Sequence, residues 1–138
     1  MSVFDTVAER PWARMLEWEL VEADAATGTV RATMVGKPSF CSPDGTMLGG
    51  FIAAMLEEVL YPTVLAKTGG AQTCSAITLK VNYLGAAQPG RFVGVGHIVR
   101  IERDVALLEG ELFDAAARCI ARATASATIV PAVDADLY

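Results

Sequence analysis

Gly49-Gly50 opens an apolar run, Phe51-Ile-Ala-Ala-Met-Leu56, and Glu57-Glu58 follows directly. Read as a helix, this stretch sets a carboxylate two turns in from a glycine start, on the same face. A helix start carries backbone N–H groups without intrahelical partners and the positive end of the dipole. Such groups can stabilise an oxyanion, and glycine lets an acyl group approach the backbone closely. A carboxylate can serve as general base or nucleophile. An ordinary core helix has little use for one there, whereas acyl transfer has a use for both ends.

Each candidate also has a plainer reading. The glycines suit a tightly packed helix turn, and Glu57 could be a buried glutamate paired with an arginine or a backbone group. Glu58 reads as an exposed or ion-paired neighbour. Tyr61, one turn beyond Glu57, could line an acyl pocket or simply pack in the core. In so apolar a helix, desolvation should raise the pKa of Glu57, which suits base catalysis near neutral pH. His97 is the only histidine. It lies in a row of valines, and no Gly-x-Ser-x-Gly elbow accompanies it, so it reads as a satisfied or interface residue. Gly94-Val95-Gly96 precedes no helix and is not a nucleotide fingerprint.

At 1.5 Å rise per residue, Glu57 lies roughly 10–12 Å along the axis from the glycines. One helix therefore cannot bring both groups to one carbonyl. A complete site needs the glycine end of one helix and the glutamate of another, related by a twofold axis.

The surrounding pattern supplies the elements that would hold such a helix. Residues 4–14 read as a short helix or turn interrupted by Pro11. Residues 15–23 and 29–35 form a hairpin about the turn from Asp24 to Gly28. Residues 36–47, with Gly36, Pro38, Pro43, Asp44 and Gly45, are a loop. The helix spans about 48–67, kinked or broken at Pro62 and stopped by Thr68-Gly69-Gly70. Strands follow at 73–84, 91–102, 105–113 and 118–130. In 91–102, Val93, Val95, His97, Val99 and Ile101 share a face. In the last strand, Cys119, Ala121, Ala123, Ala125 and Ala127 form a stripe of small residues that lets the helix pack close. The class is α+β, an antiparallel β-sheet wrapped around one long central helix.

A chain of 138 residues suits one domain, 1–138, with a core over about 15–130. It is 53% hydrophobic, more than a small monomer needs, which suggests burial between subunits. A net charge of −5 gives no basic footprint, so no nucleic-acid partner is expected. No apolar run reads as long enough to span a bilayer, and the first ten residues lack a signal pattern. Cys41, Cys74 and Cys119 are odd in number and widely spaced, against a disulfide framework or zinc site. The expectation is a cytoplasmic protein with no metal and no bound cofactor.

Three stretches carry a family resemblance. Ser42-Pro-Asp-Gly45-Thr-Met-Leu48-Gly49-Gly50, then six residues, then Glu57, is similar to Asn-x-x-Gly-x-x-His-Gly-Gly followed by Asp or Glu. Asn82-Tyr83-Leu84-Gly85-Ala86-Ala87 with Gly90, and Ile120-Ala121 through Ser126, match two further motifs. The chain resembles the hot-dog-fold acyl-CoA thioesterases, in the phenylacetate-pathway and 4-hydroxybenzoyl-CoA thioesterase branch. The resemblance implies an acyl-CoA substrate and an obligate homodimer, or the tetramer common among relatives, with sites across the interface. It implies Glu57 as base or nucleophile, Gly49 or Gly50 as oxyanion donor, and Ser42 in the place of the family's Asn. Leu48 stands where the family has His, and Ala86 where it has Pro. Alignment on Tyr83 puts Ser75, Ala76 and Thr78 near the substrate, and Arg100, Arg103 or Arg122 could meet a coenzyme A phosphate. Two alternatives stand beside hydrolysis. One is a protein that binds acyl thioesters or another apolar ligand without turnover. The other is a hydratase, which would need a histidine near the glutamate.

Overall fold

The computed structural model describes residues 2–132, except the side chains of Ala76 and Ile77. Two short helices, α1 (Asp5–Glu9) and α2 (Pro11–Met15), precede β1 (Glu19–Ala23) and β2 (Val30–Gly36). A 3-10 turn at Pro38–Phe40 leads to α3 (Gly49–Leu60) and α4 (Pro62–Lys67). The chain ends in β3 (Gln72–Tyr83), β4 (Gly90–Glu102), β5 (Val105–Phe113) and β6 (Cys119–Pro131). All pairings are antiparallel, in the order β1-β2-β4-β5-β6-β3. The sheet wraps α3, giving the expected hot-dog arrangement.

The first strand is shorter than the 15–23 expected from sequence. Residues 11–15 wind from Pro11, which is favoured at a first helical position, and a turn with Glu17 at φ 52° follows, so strand pairing begins only at Glu19. The long helix breaks where Pro62 predicts. Proline has no N–H for the carbonyl four residues back, which is that of Glu58. The indole N–H of Trp18 fills the vacancy, donating to the Glu58 carbonyl at 3.0 Å. The break thus becomes the anchor for the N-terminal segment, whose Val7, Ala13 and Leu16 are buried.

At Val59 the helix backbone approaches the sheet backbone directly, among fully buried sheet side chains such as Met34, Phe92, Leu108 and Leu112. Gly94 and Gly96 of β4 and Gly110 of β5 face it, and Ala121, Ala123, Ala125 and Ala127 of β6 are buried. A Cβ on Gly96 would lie 1.9 Å from the carbonyl oxygen of Val59. Gly96 pairs with Gly110, and Gly110 with Ala123, so a lateral row of small residues runs under the helix. The valine row of β4 is not continuous. Gly94 and Gly96 take the helix side, leaving Val93, Val95 and His97 on the outer side. A bulge between Ile98 and Arg100 then shifts the alternation before Ile101.

One expectation about length is corrected. The stretch Gly49–Lys67, the two helices with Tyr61 between them, is 19 residues, long and apolar enough to cross a membrane by length and composition. Most of that stretch is buried inside the protein, as for a core helix.

Candidate active site

The loop before α3 is built to present the helix start. Asp44 accepts from the Ser42 hydroxyl (2.7 Å) and from the backbone N–H (2.9 Å) and hydroxyl (2.7 Å) of Thr46. These bonds lower its pKa to about 2. Phe40 stacks on Phe51 with ring centroids 4.2 Å apart, and the Leu48 N–H donates to the Phe40 carbonyl. Leu48 is the extended N-cap residue, and its carbonyl accepts from Phe51 (3.0 Å) and Ile52 (3.5 Å). Among the described residues, nothing accepts from the N–H of Gly49 or Gly50.

The two glycines differ. The Tyr83 hydroxyl donates to the Gly49 carbonyl at 2.8 Å, and a Cβ on Gly49 would press within 3.1 Å of the Tyr83 ring and oxygen. A Cβ on Gly50 would meet nothing within 4 Å, so space lies open beside it. Leu48, 52% exposed, borders this opening with an apolar side chain.

Glu57 lies on the next stretch of the same helix, half-buried, with its pKa raised by desolvation. It borders a cavity of about 240 Å³ lined by Arg10, Trp12, Ala54, Glu57, Glu58 and Tyr61. Ala54, Glu57, Glu58 and Tyr61 are spaced to share one helix face. Arg10 and Trp12 come from the N-terminal segment, with the Arg10 guanidinium 5.9 Å from the Trp12 ring centre.

Glu58 is not the exposed neighbour that one sequence reading allowed. It is 6% exposed, accepts from the side chain of Trp12 and feels the charge of Arg10. Burial outweighs both, and its pKa is pushed up to about 7. This sets the sign of a stability effect. Between pH 4.5 and about 7 the native state holds a proton that the unfolded chain has lost, so stability falls as pH rises through that window. Glu58→Gln should match the wild type below pH 4.5 and exceed it above pH 7 by up to about 3 kcal/mol. Urea titrations at pH 4 and pH 8 measure this, and an equal difference at both would refute it.

The remaining residues singled out in the sequence lie elsewhere in this chain. The Ser42 hydroxyl is engaged within its own loop. Ser75 and Thr78 are exposed on β3, and Thr78 lines a different hollow with Lys80, Val99, Leu107 and Ser126. The side chain of Ala76 is outside the described residues. His97 bonds Glu111 at 2.8 Å on the outer side of the sheet, away from the helix. Arg100 pairs with Glu102. Among the described residues, no three His, Cys, Asp or Glu side chains gather as a metal site would need. Arg10 and Trp12 were missed because their approach depends on the Trp18 anchor, forty residues from its partner in sequence. Ala54, three residues before Glu57, was legible by helical spacing.

Residues 44–130 match the family model described as the thioesterase superfamily. Among solved structures, a phenylacetic acid degradation-related protein from Ralstonia eutropha is 28% identical, covering 91% of this chain and 96% of its own, with a TM-score of 0.81. PaaI of E. coli, from the phenylacetic acid degradation operon, shares the fold at 10% identity, covering 94% and 96%, TM-score 0.80. A Streptococcus mutans protein solved with acetyl-CoA bound shares it at 16%, covering 83% and 89%, TM-score 0.74. No curated protein matches the sequence. The chain belongs to the thioesterase superfamily and has the hot-dog fold. Its class of chemistry is thioester hydrolysis.

Proposed function

We propose that this protein is an acyl-CoA thioesterase working as a homodimer in the cytoplasm, with Glu57 of each subunit facing the α3 start of the other. The observation that carries this is the division of one helix into two separate halves of a site. Its start has unbonded N–H groups beside open space, and its half-buried carboxylate lies about 12 Å further along. In this reading the N–H of Gly49 or Gly50 receives the developing oxyanion, with the helix dipole assisting. Glu57, desolvated and hence basic, attacks the carbonyl or activates water. Ser42 supports the helix start through its loop, and Tyr61 and Ala54 wall an acyl group of aromatic or medium size. Leu48, apolar where relatives of this motif carry histidine, favours one alternative, retention of acyl thioesters without turnover.

Free coenzyme A release from a panel of aliphatic and aromatic acyl-CoAs decides between them. Only multiple turnovers count, because three free cysteines give a stoichiometric background. No turnover on any substrate leaves the binding reading.

The shared site has its own test. Gly50→Val should place a side chain in the space left for the thioester while leaving the protomer folded, since a Cβ there meets nothing. Alone it should be inactive. Co-refolded one to one with Glu57→Ala, half the dimers would be mixed, each with one intact site of two. Recovery of about one quarter of wild-type activity is expected. No recovery, with mixed dimers demonstrated, would overturn the shared site.

A further inference from the structure

The start of α3 is a loose place on which to build a precise site. Two consecutive glycines open its first turn, and the N-cap residue Leu48 makes no side-chain cap. Glycine gives up the most backbone freedom on folding, and a missing cap leaves the first turn without its usual tie. The residues just before the pair are held, Met47 by the Ala87 carbonyl and Leu48 by that of Phe40. The pair itself is tied from outside the helix. Tyr83 is the last residue of β3 and pairs with the buried Ala121 of β6. The N–H of the next residue, Leu84, donates to the Ile120 carbonyl at 2.9 Å. This frame delivers the phenol hydroxyl to the Gly49 carbonyl at 2.8 Å. It also sets the ring on the side of Gly49 where a Cβ would project, within 3.1 Å of it.

Resting on the thioesterase reading, we propose that Tyr83 is a positioning residue that fixes the direction of the Gly49 and Gly50 N–H groups toward the thioester carbonyl. The Gly49 carbonyl and the Gly50 N–H belong to one planar peptide group, so a bond to the first sets the tilt of the second. The ring beside Gly49 limits the backbone rotation that would swing its own N–H aside. Donation to the carbonyl also polarises that peptide group and strengthens its N–H as a donor. Tyr83 works through the backbone, because the open space lies beside Gly50, where a Cβ would meet nothing within 4 Å. A donor stabilises an oxyanion best when it needs no reorientation as the charge develops. Here the sheet supplies the rigidity that a glycine-glycine helix start lacks.

The test is Tyr83→Phe in the full-length protein, which removes the hydroxyl and keeps the ring. Tyr83 is 52% exposed, so melting temperature and assembly should hold. The kcat for acyl-CoA hydrolysis should fall about tenfold, less than the loss of about 10²–10³-fold on removing an oxyanion donor outright. KM should stay within about twofold, since the donors act chiefly in the transition state. Backbone ¹⁵N relaxation gives an activity-free readout. The order parameters of Gly49 and Gly50 should drop from about 0.85 toward about 0.6, with those of Ile52 and Met55 unmoved. Wild-type kcat in Tyr83→Phe would reduce Tyr83 to packing and overturn the proposal. A rise in KM at constant kcat would place the hydroxyl on the substrate and overturn it as well, as would a fall in kcat with the glycines still rigid. A wild type without turnover would defeat the thioesterase reading itself, and the order parameters would then decide whether Tyr83 holds the glycines.

Discussion

Glu57→Ala should release coenzyme A about 10²–10⁴-fold more slowly than the wild type over multiple turnovers, the range expected when a general base is removed. It should do so without loss of fold. Glu57 is half-buried and carries an unfavourable desolvation that no partner offsets, so deleting its carboxylate removes a cost. Alanine is also the stronger helix former. The melting temperature should therefore hold or rise, and size-exclusion chromatography should show the same assembly as the wild type. Glu57→Gln, equal in shape and without basicity, should be nearly as slow. For the wild type, the rate should fall as pH drops through a pKa raised above the ordinary carboxylate value, because only the ionised form is competent. Wild-type turnover in Glu57→Ala would remove the carboxylate from the mechanism altogether.

Gly96→Ala should be the most damaging single methyl group in the sheet. Its Cβ would stand 1.9 Å from the Val59 oxygen, 2.6 Å from the Val59 carbonyl carbon and 3.2 Å from the Thr63 methyl. Two of these are backbone atoms of a helix and cannot turn aside. Retreat of the helix would open gaps above Gly94, Gly110 and the alanines of β6. Overpacking of a core commonly costs 1–3 kcal/mol, and a backbone collision belongs at or beyond the top of that range. A loss of about 3 kcal/mol would lower the melting temperature by roughly 10 °C. Gly45→Ala, where a Cβ meets nothing but φ is +85°, separates backbone strain from collision and should cost less. A Gly96→Ala melting temperature within two or three degrees of the wild type would show that the helix is less closely seated than described.

Much of this was legible in the chain because local chemistry and fold agree. Pro62 announced the helix break, Thr68-Gly69-Gly70 its end, and the alanines of β6 the face that receives α3. The helix start was legible from Gly49-Gly50 and the loop residues before it. What the sequence hid depends on long-range partners. The phase of β4 could not be read from its valines, because the side turned to the helix is marked by the absence of side chains at Gly94 and Gly96. The start of β1 was set too early, at residue 15, because the turn that holds Glu17 at φ 52° carries no glycine or proline to mark it. Glu58 reads from sequence as an exposed or ion-paired neighbour of Glu57. Only the return of the N-terminal segment, fastened through Trp18, buries the one and leaves the other half open.

The glycine and alanine seat also divides the protein for anyone wishing to redesign it. With strand backbone set directly against helix backbone at Gly96, the separation of Gly49 from Glu57 and their height above the strands behave like marks on a rigid ruler. Variation on the sheet side of that ruler shifts every mark at once. Variation on the opposite side, at Ala54 or Tyr61, reshapes the chamber and leaves the marks where they are. In the proposed site, acyl preference should therefore be tunable from the outer helix face, while the underside stays fixed as the frame of reference.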